Sequence, residues 1–406
     1  MSNKPETKNE TAVVAFSGGL DTSFMIPFVK EKYGFKKVIT CTVNTGGFSK
    51  DEEEKIASRS KEIKADEHFF IDAKKEYYDE VLKYLIYGNT TRDGYPLCVG
   101  AERIIQGKVA LEVCKKVSAK FLVNGSTGAG NDQYRWDLIV AVLGDDKITG
   151  LTPVREFQFS REYETKYLQD LGISVQSKNT SYSYNAGMWG VSIGGKETHI
   201  STEILPEEAW YSHPDTSKQE IKLQINFKNG EPISCSASSG ESAKNPVDVI
   251  LLLASLGNSL GIGRGYHIGT SIPGKKGRIG FEAPAAEILY SAHKTLEKIT
   301  LSQHQIHFKN VIANEYGKLL HEAKFFDPCF EDLKAYLISS QAKVTGECTV
   351  YLKPFRIEAV TADSPHNLLH LKGATYGESA SAWSGAEAEG ACKIAGYEQL
   401  MLARTK

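Results

Sequence analysis

The chain has 406 residues, more than one ordinary hydrophobic core accommodates, so two or three domains are expected. Its 48 Lys and Arg against 50 Asp and Glu leave a formal net charge of −2, which excludes a global field favouring nucleic acid or an anionic membrane. Seven scattered cysteines without a Cys-x-x-Cys pair exclude a disulfide framework and fit reduced thiols in the cytoplasm.

Residues 1–12 read as a polar, disordered tail without the apolar core of a signal peptide, and the longest apolar run, 249–254, is far short of a membrane span. The run Val13-Val14-Ala15-Phe16 predicts a strand, followed by a glycine turn and a helix reaching Gly34, with a kink at Pro27 where an interior hydrogen bond is lost. Strands at 38–43, 68–72 and 120–123 then alternate with helices at 50–64, 75–87 and 102–117. Such alternation predicts an α/β doubly wound parallel sheet over residues 13–175, with ligands at the carboxyl ends of its strands.

From about residue 176 the character changes. Tyr182-Ser183-Tyr184 and the stretch 189–195 are rich in Gly, Ser and aromatics, which predicts loops lining a pocket. The segments 221–227 and 232–237, joined through Asn229-Gly230, predict a hairpin. Helices are expected at 246–260, 283–299 and 302–323, and another hairpin around 350–360. Residues 176–366 thus form an α+β second domain. The last segment, 367–406, reads as an arm with a helix at 391–402; such an arm docks more often on a neighbouring subunit than on its own core.

Two motifs carry the chemistry. The first is Ser17-Gly18-Gly19-Leu20-Asp21-Thr22-Ser23, between a strand and a helix start. Two glycines allow positive φ and close approach of backbone to an anion, the helix start supplies N–H groups, and Ser17, Thr22 and Ser23 add hydroxyl donors. Asp21 either holds a magnesium ion bridging phosphate oxygens or caps the helix. The loop lacks the Gly-Lys-Ser/Thr ending of a Walker loop and resembles the SGG-x-D-T/S loop of the ATP pyrophosphatases, which cleave ATP to AMP and pyrophosphate.

The second motif runs from Gly125 to Trp136 and includes Thr127, Asn131, Asp132 and Arg135. Asn131 and Asp132 can receive an ammonium group, and the Arg135 fork, one helical turn on, fits a carboxylate, as an amino acid requires. The alternative is a helix N-cap at Asn131 or Asp132 with Arg135 in a surface ion pair.

Together the motifs resemble the argininosuccinate synthase family, whose pattern pairs A-aromatic-S-G-G-L-D-T with G-x-T-G-x-G-N-D-Q-x-R-aromatic. Tyr95-Pro96, Arg278 to Ala285 and Gly390 to Ile394 extend the likeness from about Val13 to the C-terminus. The resemblance implies an ATP pyrophosphatase domain, a synthetase domain and a C-terminal oligomerisation arm in a homotetramer. It implies ATP on Ala15, Phe16, Ser17, Gly18, Gly19, Leu20, Asp21, Thr22 and Ser23, with Val43 near the adenosine and Gly125 close to the nucleotide. Aspartate would be held by Thr127, Asn131 and Asp132, and citrulline by Tyr95, Asn131, Arg135, Ser183 and Ser192. Ser17, Asp21 and Asp132 stand nearest the chemistry, Asp21 with Mg2+, and no side chain stands out as a general base. The reaction implied is ligation of citrulline and aspartate through a citrullyl-AMP. Another adenylating ligase with the same ATP loop is the alternative.

The chain departs from the family pattern at four positions. A common lysine is Ala129, a serine is Gly100, and a tyrosine and a glutamate of the citrulline pocket fall on Phe281 and Gly269. Loss of the glutamate weakens binding of a free α-amine unless another acid replaces it. Either the pocket is rebuilt around free citrulline, the preferred reading, or the acceptor is a citrulline with an acylated amine.

Overall fold

The computed structural model describes residues 6–175, 182–215, 217, 220–370 and 381–405. In chain order the first region comprises β1 (Thr11–Ala15), α1 (Leu20–Tyr33), β2 (Lys37–Asn44), α2 (Lys50–Glu62), β3 (Glu67–Asp72), α3 (Lys74–Tyr77), a π turn (Tyr78–Leu82) and α4 (Lys83–Gly88). It continues with α5 (Arg103–Lys116), β4 (Phe121–Val123), α6 (Asp132–Leu143), β5 (Thr149–Leu151), α7 (Pro153–Phe157) and α8 (Arg161–Asp170).

The period of two along β1 sends Val13 to one face of the sheet and Ala12 and Val14 to the other. Val13 joins a core with Tyr77, Leu85, Ile105 and Ile139, while Ala12 and Val14 pack with Phe24, Ile26, Ile56 and Leu168. Both faces are therefore covered by helices, and all strands run parallel in the order β3-β2-β1-β4-β5. This is the expected doubly wound sheet. Its order reverses between β1 and β4, so the loops leaving those two strands flank the crevice at the switch point.

The chain is anchored earlier than the expected tail over 1–12: Thr7 is buried and its hydroxyl donates to the Tyr33 carbonyl at 2.5 Å. Residues 1–5 of that tail lie outside the described residues, as does 176–181 at the expected domain boundary. α1 runs through Pro27 as one element.

The second region comprises β6 (Tyr182–Gly187), β7 (Gly190–Gly195), β8 (Ile221–Lys228), β9 (Glu231–Ala237), β10 (Ser242–Ala243), α9 (Pro246–Ser259), β11 (Arg264–Thr270) and β12 (Lys276–Glu282). After these come α10 (Pro284–Thr300), α11 (Gln303–His321), α12 (Pro328–Ser340), β13 (Gly346–Lys353), β14 (Arg356–Asp363), α13 (Gly385–Ala395) and α14 (Tyr397–Arg404). One antiparallel sheet has the order β10-β9-β8-β13-β14 and another the order β11-β12-β7-β6.

The predicted hairpin forms, with Asn229 and Gly230 both at positive φ. The stretch 189–195, expected as loop, is instead mostly strand β7. Its glycines hide a buried strand: Trp189 and Ile193 are wholly buried and the Trp189 indole N–H donates to the Pro96 carbonyl at 3.0 Å. The arm helix expected at 391–402 is two helices meeting at Gly396, with no buried residue in either, and 371–380 lies outside the described residues. No described helix is long and apolar enough to cross a membrane.

One hydrophobic core joins the two regions, running from Val13 and Leu122 to Leu223, Leu253 and Leu289. A buried polar lock crosses the same boundary: Glu297 accepts from Lys309, from Asn89 at the end of α4, and from Gln341. The lock and the shared core hold the β11-β12-β7-β6 sheet against the crevice at β1 and β4.

Candidate active site

The first loop is pinned as it leaves β1, where the Phe16 N–H donates to the Cys41 carbonyl at 2.8 Å and Thr42 Oγ1 donates to the Phe16 carbonyl at 2.7 Å. Gly18 then turns at φ +77°, where a Cβ would also lie 3.1 Å from Ile56 Cγ1. Gly19 is the N-cap of α1 and has no side chain to cap it, so the first-turn N–H groups remain for an anion. Asp21 is inside the helix, which removes the capping alternative for it. Ser17 Oγ and Thr22 Oγ1 lie 3.2 Å apart across the turn.

Ser23 is a correction to the predicted set of phosphate donors. It is wholly buried, donates to the Gly18 carbonyl at 3.5 Å and accepts from Arg59 Nε at 3.1 Å, so it braces the loop from behind. Beneath Asp21 is Glu164, only 2 % exposed. Burial, and after it the charge and hydrogen bond of Asp21, push the Glu164 carboxyl well above the ordinary carboxylate range.

The second loop leaves β4 through Asn124, whose Oδ1 accepts the Ser126 N–H at 3.0 Å, and Gln133 Nε2 ties back to the Gly128 and Gly130 carbonyls. Thr127 is exposed on it. Asn131 is oriented from both ends: Oδ1 accepts the Ile272 N–H at 2.8 Å and Nδ2 faces His321 Nε2 at 3.3 Å. Asp132 sits between two guanidinium groups, accepting from Arg103 Nε at 2.9 Å and Arg135 Nη1 at 2.6 Å. Burial opposes its ionisation, but the charges of Arg103 and Arg135 win and hold its carboxyl at about 2.

Arg135 matches neither expectation. It is 4 % exposed, so its ion pair is not a surface one, and its fork is already engaged by Asp132 and by the His321 carbonyl at 2.8 Å. Its guanidinium lies on Gly100, where a Cβ would meet Nη1 at 2.5 Å and φ is +94°.

The facing wall is the β11-β12-β7-β6 sheet. Strand parity puts Ser183, Asn185, Ser192, Phe281, His267 and Gly269 on one face of it. Tyr95 is buried against that face, stacked on His267 at 4.8 Å and edge-on to Phe281 at 5.2 Å. The His267 ring also occupies the space that a side chain at Gly269 would take.

The two loops and, from the facing sheet, Tyr182 to Ala186 of β6 line a cleft of about 580 Å3. It brings together Ala15, Phe16, Ser17, Gly19, Leu20, Asp21, Thr22, Val43, Gly125, Asp132 and Ser183. Tyr95, Arg135 and Ser192 are buried, at 2 %, 4 % and 7 % exposure.

A family model described as "Arginosuccinate synthase N-terminal HUP domain" matches residues 11–174, and the corresponding C-terminal domain model matches residues 182–402. The chain belongs to the argininosuccinate synthase family. It is 36 % identical over 405 residues to the argininosuccinate synthase of Xanthomonas axonopodis pv. citri, covering 97 % of this chain and 94 % of that one. The enzyme of the same name from Methanocaldococcus jannaschii is 33 % identical over 359 residues, covering 88 % of this chain and 89 % of that one. Membership makes the chain an ATP-dependent ligase and implies a place in arginine biosynthesis.

Neither motif announced Arg103. Besides Asp132 it donates to Glu102 Oε1 at 2.6 Å, to Gln106 Oε1 at 2.8 Å and, across the cleft, to Asn185 Oδ1 at 3.3 Å. The signal available was the pair Glu102-Arg103 opening a helix soon after Tyr95, which is too common to single out.

Proposed function

We propose that this argininosuccinate synthase family member joins the ureido group of a citrulline to aspartate, with ATP cleaved to AMP and pyrophosphate. The observation that carries the reading is the convergence of the β1 loop, the β4 loop and Ser183 on one cleft. ATP lies along the first loop, its adenosine near Val43 and Gly125 and its phosphates over the uncapped start of α1. Thr127, Asn131 and Asp132 hold aspartate, while Tyr95, Asn131, Arg135, Ser183 and Ser192 position citrulline.

A ureido oxygen is a poor leaving group until adenylylated. Held in line with the α-phosphorus, it attacks, pyrophosphate departs, and a citrullyl-AMP results. The aspartate amine then displaces AMP at the activated carbon. The chain contributes positioning of three reactants, with Ser17, Thr22 and backbone N–H groups binding phosphate charge. The donor set at the helix start fits Mg2+: Asp21 faces the cleft and would hold the ion, which neutralises phosphate charge when bound. Citrulline labelled with 18O in its ureido group is expected to pass the label to AMP, with AMP and pyrophosphate formed one to one. Unlabelled AMP would overturn the citrullyl-AMP step.

The functional unit is a homotetramer acting in the cytoplasm. Support for assembly comes from α13 and α14, which bury no residue and expose Ile394 at 79 %, Tyr397 at 60 % and Leu402 at 60 %. Deleting 367–406 is expected to reduce the mass measured by light scattering below four chains. An unchanged mass would remove the arm from the assembly.

A further inference from the structure

Beside Asp132 four side chains from four segments meet, each with one buried nitrogen left over. Arg92 Nη1, Arg135 Nε, His267 Nε2 and His321 Nδ1 are all buried and without a hydrogen-bond partner. The group is tight: Arg135 Nη2 donates to the His321 carbonyl, the His321 ring lies in the fields of Arg135, Arg92 and His267, and Tyr95 stacks on His267 while pairing through its backbone with Arg92.

Three of the four nitrogens are fixed as donors. Guanidinium nitrogens only donate. Asn131 Oδ1 is taken by the Ile272 N–H, so its Nδ2 must be the group facing His321 Nε2. His321 Nε2 therefore accepts, and the ring proton sits on Nδ1.

Among the described residues, no buried carboxylate beside these nitrogens has both oxygens free to receive an ammonium group. Both oxygens of Asp132 are held by guanidinium groups, Glu322 lies between Arg92 at 3.8 Å and Lys324 at 3.1 Å, and Asp93 is exposed on its loop. Glu102 keeps Oε2 unpartnered but is tied through Oε1 to Arg103. Where the family pattern carries an acid, this chain has Gly269, and the His267 imidazole fills the space. A protonated amine placed here would face two guanidinium groups. An amide in its place carries no charge and brings a carbonyl oxygen to donors that lack one.

We propose that the acceptor of this ligase is a citrulline whose α-amine is acylated, and that Arg92, Arg135, His267 and His321 receive its acyl oxygens. This rests on the ligase reading above and reverses the preference for free citrulline drawn from the motifs alone.

The test compares pyrophosphate release by the full-length enzyme with ATP, aspartate and one of three acceptors: citrulline, Nα-acetylcitrulline or Nα-succinylcitrulline. The acylated acceptors are expected to exceed citrulline in kcat/KM by about 100-fold, the order set by an unpaired buried charge. A larger value for the succinyl compound assigns a carboxylate to the niche, and equal values assign the amide carbonyl alone. Citrulline equal to or better than both would overturn the inference and leave the ligase reading standing. No release with any acceptor would sink both. Gly269→Glu is expected to raise kcat/KM for citrulline and lower it for the acylated acceptors. Arg92→Met is expected to raise KM for the acylated acceptor about tenfold with KM for ATP unchanged; an unchanged acceptor KM for Arg92→Met counts against the niche.

Discussion

Asp132→Asn is expected to lower kcat/KM for aspartate by about 100- to 1,000-fold, the range for removing one partner of a hydrogen-bonded charge pair. Among the described residues the carboxylate is the only group that accepts from both Arg103 and Arg135, and it forms part of the cleft wall. Asparagine retains one acceptor oxygen and turns an NH2 group toward the other guanidinium. Full burial would make the stability cost about 3–5 kcal/mol. Because the Asp132 side chain is 35 % exposed, water reaches the substituted side chain and a cost of about 1–2 kcal/mol is expected. The pH dependence has a defined sign. A carboxyl held at about 2, below its ordinary 3.8, stabilises the fold fully above the ordinary value, and the contribution is lost as pH falls toward 2. Thermal melts between pH 2 and 7 should therefore show part of the acid limb missing in the variant. Steady-state kinetics with aspartate indistinguishable from the parent enzyme would remove Asp132 from the site.

What could be read in advance follows from how local each signal is. The β1 loop was legible because glycines, hydroxyls and an apolar strand lie within a few residues, and the β4 loop for the same reason. Asn229-Gly230 likewise dictates its own turn. The β11-β12-β7-β6 sheet was not legible, since Gly190 to Gly195 offers little contrast between faces and its burial comes from Trp189 and Ile193 packing against distant segments. Ser23 looked like one more hydroxyl donor, and only Arg59, thirty-six positions away, turns it inward. The same holds for Arg135. Its spacing from Asp132 was visible, but the partner that fills its second arm is the His321 carbonyl at the end of α11. Departures from the family pattern at Gly100 and Gly269 were visible as losses. Their structural meaning, an arginine and a histidine lying in the vacated space, required the fold.

Gly18→Ala is expected to raise KM for ATP by about 10- to 100-fold and to cost about 1–2 kcal/mol of stability, the penalty of a left-handed L-residue. The backbone at φ +77° is what lets the chain turn from β1 into the uncapped start of α1. A methyl group there also comes within 3.1 Å of Ile56 Cγ1, in a helix fixed by the Ser49 and Glu52 capping box, so the loop rather than α2 has to move. Displacing it by a fraction of an ångström misaims N–H groups whose value to a phosphate depends on direction. Gly125→Ala is the matched comparison. Its Cβ would meet Met25 Cε at 3.3 Å, a flexible end that can swing aside, and no positive φ is required. Its effect on KM for ATP is expected to be less than about threefold, since a methionine repacks at little cost. If both variants keep the parent KM for ATP, the β1 turn does not cradle the triphosphate; if both lose it equally, the penalty comes from crowding rather than from the left-handed turn.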